Sequence, residues 1–250
     1  WLEKHLPEDG SITLTDNTET RQTLILTGPK SRDVLSAASR GDWSKATFPW
    51  LSVRECFVGY APATVLAVSF SGELAYEIHV PNESLYAAYL ALRDAGKGHG
   101  LQLFGARAVE SMRMEKGYLH WKADLLTEFN PLETGLDRFV KMDKEDFVGK
   151  TALLEQIDAG LKHKFVSLQI DCKHAPAYGG GSLMHGDKVV GTISSGDWGH
   201  RVGMNLAYAF VLPEYTEIGT TMDLDLLGDL VSTTVIEAGP YDAAYERVRS

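Results

Sequence analysis

Two cysteines in 250 residues, Cys56 and Cys172, make no CxxC pair and no zinc pattern. Buried thiols in a reducing compartment are the plain reading, and a single long-range disulfide is the alternative, with nothing to recommend it. Cationic charge is also scarce. Against 34 Asp and Glu stand 24 Lys and Arg, a formal net charge of −10. No basic cluster offsets that excess, so a phosphate backbone is repelled and nucleic acid is not an expected partner. No apolar run reaches the roughly 20 residues that span a bilayer, so no membrane association is expected. The opening Trp1 to His5 is neither basic nor followed by an apolar stretch, which gives no signal peptide. Residue 1 is not Met, and the chain is expected to begin inside a longer polypeptide.

Common catalytic signatures are missing too. There is no GxGxxG after a strand and no Walker loop, so no dinucleotide or nucleoside triphosphate site is signalled. Neither HExxH nor the GxSxG nucleophile elbow occurs. The eight histidines are scattered without metal-ligand spacing, and no metal site is expected.

What is present reads as two kinds of structure. Ser11 to Thr15 (SITLT) and Gln22 to Thr27 (QTLILT) are β-branched and apolar, as strands require. Gly28 and Pro29 end the second, and Ser31 to Ala38 reads as a short helix. Two strands follow between Phe57 and Val68, divided near Tyr60 to Pro62. Gly72 and Glu73 then look like the turn of a hairpin closed by LAYEIHV. Helices are predicted from about Glu83 to Asp94, Gly105 to Lys116 and Lys150 to Ala159, each ended by glycine. On the second of these, Ala106, Val109 and Met112 form the expected buried stripe. From Lys164 onward the pattern is short strands and Gly-rich turns, with the HGD at 185–187 marking a hairpin. Many short strands without helices suggest a small barrel or sandwich. The fold class is therefore α+β, with a first domain over about 1–160 and a β-barrel-like domain over 161–250.

Five runs in order carry a family resemblance. They are SGELAYEIHVP (Ser71 to Pro81), GARAVESMRMEKG (Gly105 to Gly117), NPLETGLD (Asn130 to Asp137), VGTISSG (Val190 to Gly196) and AYAFV (Ala207 to Val211). Together they resemble the glycine-cleavage T-protein (aminomethyltransferase) family. GHRVG (Gly199 to Gly203), GPYD (Gly239 to Asp242) and Phe139 look closest to the C-terminal half of dimethylglycine and sarcosine dehydrogenases, which fuse an FAD-dependent amine-oxidising half to a T-protein-like half.

The resemblance implies a fold of antiparallel sheets and helices followed by a small antiparallel β-barrel. It implies tetrahydrofolate as cofactor and a one-carbon unit moved from a methylated glycine to give 5,10-methylenetetrahydrofolate. FAD would belong to a separate upstream amine-oxidising domain or subunit, which is the expected partner besides folate. By position, Glu77 matches the glutamate that holds the pterin ring, and one carboxylate suits the adjacent N–H donors of a pterin edge. Tyr76, its neighbour on the strand, should then face away. Arg107 matches the arginine of the following helix, placed to meet Glu77 or the anionic glutamyl tail, or else to pair with Glu110 along the helix. Phe70 keeps a stacking face where the dehydrogenase branch often has Tyr, and Phe139 offers an apolar wall. The family's catalytic aspartate matches no Asp here and lies upstream of Trp1, so no catalytic residue is assigned and the fragment alone is expected to be inactive. Asp197, Trp198, His200 and Arg201 form either a polar site or a structural turn. A stand-alone T-protein, a folate-dependent demethylase and a non-catalytic folate-binding or docking module are the alternatives. Bacterial cytoplasm and mitochondrial matrix both fit.

Overall fold

The computed structural model describes every residue from Trp1 to Ser250. Contacts divide the chain into two compact units, one of residues 1–69, 73–103 and 246–250, the other of residues 70–72 and 104–245.

The first unit is organised by a strand with strict alternation. In Ala75–Pro81 (β4), Tyr76, Ile78 and Val80 are fully buried, while Glu77 and His79 on the intervening positions are half-exposed. Arg21–Thr27 (β1) pairs with one side of β4 and Ala61–Leu66 (β3) with the other, with Val53–Val58 (β2) beyond β3. Every pairing is antiparallel. The buried face meets two helices, Ser31–Ala38 (α1) and Leu85–Gly96 (α2), which pack on each other and on the sheet. Leu35, Trp43, Phe48, Val65, Tyr76 and Ile78 fill the space between them. The last residues of the chain complete this unit: Val248 is 1% exposed, Arg32 donates to the Ser250 carbonyl at 2.7 Å, and the Arg249 guanidinium lies 5.2 Å from the Trp50 ring centroid.

Two expectations change here. Ser11 to Thr15 form no strand; the segment is irregular and exposed, with Ile12 59% and Leu14 46% accessible. A strand exists only where a neighbour completes its ladder, and β1 finds its partner in β4 while this segment finds none. The hairpin between β3 and β4 is real, but Leu66 pairs with Glu77 and residues 67–74 form a broad connection in place of a tight turn. Phe70 therefore sits on a loop, not a strand.

In the second unit six antiparallel strands close into a barrel in the order β10, β5, β8, β7, β6, β9. They are Lys164–Ile170 (β5), Ser182–His185 (β6), Lys188–Gly199 (β7), Met204–Val211 (β8), Thr221–Leu226 (β9) and Asp229–Ile236 (β10). The expected turn at 185–187 joins β6 to β7, with Gly186 at φ +60° and His185 opposite Lys188. Alternate residues of β8 serve two cores. Ala207, Ala209 and Val211 join Leu168, Leu183, Ile193 and Leu224 inside the barrel, while Leu206 and Tyr208 pack outside on Met114.

Met114 belongs to Ala106–Lys116 (α3), which lies on β7 and β8. The helix ends as predicted at Gly117, whose φ of +80° lets the Tyr118 N–H reach back to the Arg113 carbonyl at 3.0 Å. Its buried face is not the expected one. Ala106 is exposed and Val109 and Met112 are partly so, whereas Ser111, Arg113, Met114, Glu115 and Lys116 are buried. Lys150–Ala159 (α4) forms as expected and buries no residue fully. No helix is long and apolar enough to cross a membrane.

Candidate functional site

The register of the first unit fixes the surroundings of Glu77. On the face turned away from the core, Glu77 stands opposite Ile25 of β1 and Leu66 of β3. Two residues along, and so on the same face, His79 stands opposite Thr23 on one side and Thr64 on the other. The His79 Nε2 lies 3.3 Å from Glu77 Oε2, and its Nδ1 lies 3.0 Å from Thr23 Oγ1. Thr64 is engaged elsewhere: it donates to Glu55 Oε1 at 2.7 Å and accepts from Arg21 Nη2 at 3.0 Å. The Glu77 side chain is 35% accessible, so it is neither buried in a structural pair nor fully solvated.

Tyr76 points the other way, into the core, as alternation requires. Its hydroxyl has no hydrogen-bond partner. Burial pushes its pKa up, with Arg32 opposing and Asp33 adding to the effect.

The other three sequence-predicted residues belong to the barrel unit. Arg107, in the first turn of α3, is exposed and makes no ion pair, because Glu110 pairs with Arg113 instead. The reading of Arg107 as half of a helical ion pair is therefore set aside. Phe70 stacks on Tyr118, with ring centroids 6.2 Å apart and an 8° angle between planes, and tilts toward His120 at 6.3 Å. Tyr118 in turn approaches Tyr245 at 6.5 Å. Phe139 is in a short 3-10 turn, 69% exposed, with the Arg138 guanidinium 4.8 Å from its ring. Phe70 and Phe139 make no ring contact with each other.

Sequence reasoning missed the buried charges of the barrel unit. Arg113 is fully buried and donates to Asp124 Oδ2 at 2.6 Å, to the Tyr118 carbonyl at 3.1 Å and to Glu110. Asp124 is completed by Ser194 at 2.5 Å, Ser195 at 2.6 Å and the His120 N–H at 2.8 Å. Burial works to lower the Arg113 pKa, but the hydrogen bond to Glu110 and the charges of Asp124 and Glu110 outweigh it and leave it raised. Two residues on, Glu115 accepts from the Arg201 backbone at 2.5 Å and from its side chain, while Arg201 Nη2 reaches the carbonyls of Ser71 at 2.8 Å and Met112 at 2.9 Å. Arg201 is thus a structural tie, and Asp197 accepts only from the following N–H at 2.8 Å, which favours the structural turn for that cluster. Lys116 bonds Asp242 and lies 3.8 Å from the Tyr245 ring centroid. These are fully committed groups that hold the helix, the loops and the barrel together, and none offers a free donor to a ligand.

Residues 1–144 match the family model of the GCVT N-terminal domain, and residues 163–242 match that of the glycine cleavage T-protein C-terminal barrel domain. The chain is 31% identical over 95% of its length to the mitochondrial dimethylglycine dehydrogenase of Homo sapiens, and 34% identical over 79% to the mitochondrial sarcosine dehydrogenase of Mus musculus. It spans 28% of the first relative's length and 22% of the second's. Among solved structures it superposes on the glycine cleavage system aminomethyltransferase T from Bartonella henselae with a TM-score of 0.78 and 22% identity, covering 89% of this chain and 60% of that one. That likeness carries the fold.

Proposed function

The chain belongs to the glycine cleavage T-protein (aminomethyltransferase) family, and on that premise we propose that it binds tetrahydrofolate through Glu77. The observation that carries this reading is the half-exposed Glu77 carboxylate, turned out from an otherwise well-packed strand, with Oε1 engaged by no protein group. A pterin edge presents adjacent N–H donors, and a carboxylate accepts both. Arg107, exposed and without an ion-pair partner, supplies the cation for the anionic glutamyl tail. Phe70, held flat against Tyr118, supplies a stacking face, and the exposed Phe139 ring an apolar wall.

The one-carbon unit comes from dimethylglycine or sarcosine, oxidised at an FAD-binding domain or subunit that works with this chain. The reduced folate supplies the nitrogens that capture it, to give 5,10-methylenetetrahydrofolate. This chain's residues bind and orient, and the gain is one of proximity. No aspartate of this chain matches the family's proton-handling residue, and no proton-transfer step is assigned to it. The division of the family's two parts falls near Gly160. The working compartment is the bacterial cytoplasm or the mitochondrial matrix.

Calorimetric titration with 5-formyltetrahydrofolate tests the reading. Glu77→Gln turns one acceptor into a donor facing donors, and affinity should fall by roughly tenfold or more, the scale of a hydrogen bond to a charged group. Arg107→Ala should weaken binding without lowering the melting temperature. Unchanged affinity in Glu77→Gln would remove Glu77 from the site.

A further inference from the structure

A glutamate on an open sheet face has three free side-chain torsions, and a ligand that needs both carboxylate oxygens must first order them. The sheet around Glu77 carries a device that does this in advance. His79 follows on the same strand at the spacing that shares a face, and Thr23 stands directly opposite His79 in the ladder. A carboxylate only accepts, so Nε2, 3.3 Å from Glu77 Oε2, carries the ring proton, and in the neutral ring Nδ1 is left to accept from the Thr23 hydroxyl 3.0 Å away. The other hydroxyl beside His79, that of Thr64, is already committed to Glu55 and Arg21. Only Thr23 is left to set the imidazole. The Nε2–H then takes one lone pair of Oε2, leaving the second lone pair of that oxygen and all of Oε1 for a ligand.

We propose that His79, steadied by Thr23, is a positioning residue that orients the Glu77 carboxylate for its ligand. The inference rests on the reading of Glu77 as a folate ligand, and it assigns His79 no contact with the folate itself. A second-layer donor of this kind fixes the geometry of the group it bonds, as the partners of metal-bound histidines do for their rings.

The test measures affinity for 5-formyltetrahydrofolate by calorimetry and the melting temperature of each variant, in this chain and in the full-length protein. His79→Ala should weaken binding roughly 3- to 10-fold, the scale of one lost hydrogen bond. His79→Gln, whose amide nitrogen can occupy the Nε2 position, should recover most of the loss. Thr23→Val should act in the same direction as His79→Ala with a smaller effect. In a Glu77→Gln background, His79→Ala should cause no further loss, because the group it positions is gone. If Glu77→Gln weakens binding and His79→Ala does not, the positioning role is overturned while the folate reading stands. Equal losses from His79→Ala with and without Glu77 would mean that His79 meets the ligand directly, which also overturns it. If neither protein binds, or if Glu77→Gln binds as wild type does, the folate reading fails and this inference falls with it.

Discussion

At the scale of single residues, the structure separates charges that are spent from charges that are available. Arg113, Glu115, Lys116 and Asp124 are buried and saturated with partners, whereas Glu77 and Arg107 are accessible. Tyr208 shows what such a saturated interior does to titration. Its hydroxyl donates to the Met114 carbonyl at 2.8 Å, and burial first of all pushes its pKa above the ordinary 10.0. The neutral form is favoured in the fold, so unfolding at high pH releases a proton. Stability from this group is complete below pH 10 and is lost as pH rises past that unfolded value toward the higher folded one. Tyr208→Phe should be less stable than wild type at neutral pH by about 1 kcal/mol, through the lost hydrogen bond. Its stability should also decline less steeply above pH 10, and urea titrations at a series of pH values check both.

At the scale of elements, α3 was legible in its ends and illegible in its buried face. Gly105 and Gly117 bracket it in the sequence as they do in the structure. The apolar stripe of Ala106, Val109 and Met112 failed because periodicity treats charged residues as solvent-facing. Here the partners that permit burial of Glu115 and Lys116, Arg201 and Asp242, lie more than 80 residues away. The segment Ser11 to Thr15 failed for a related reason, since β-branched composition states a preference and only a neighbouring strand realises it. The end of α3 also makes a sharp prediction. A methyl group on Gly117 would stand 3.0 Å from the Gly239 nitrogen, at a φ of +80° that side chains avoid. Gly117→Ala should therefore cost about 1–3 kcal/mol in chemical denaturation. A glycine-to-alanine change at Gly98, where a Cβ meets nothing within 4 Å and φ is not positive, is the control.

At the scale of the whole molecule, the fold class and the barrel were readable because turn signals and strand composition repeat locally. Glu77 was readable as part of a run resembling a family motif. His79 shares that run and could have been placed beside Glu77 by alternation alone. Thr23 could not, because its position depends on the pairing of β1 with β4, which joins residues 56 apart in the chain. Residues 246–250 are a second case of distance in sequence. They pack with the first unit, where Val248 is buried and Arg32 holds the Ser250 carbonyl. Deleting residues 246–250 should destabilise that unit by at least about 1.5 kcal/mol, the burial of one valine. A lower unfolding midpoint in thermal scans would show it.

The same packing has a consequence for synthesis. A ribosome delivers the sheet of the first unit early, but the residues that close its surface are 246–250, made after the entire barrel. The first unit must therefore wait for its last residues, the buried Val248 among them, while residues 104–245 emerge. Its completion is a late, long-range event in the life of the chain, of the kind that slows folding. Between these two units the order of assembly runs against the order of translation: the one begun earlier is finished later.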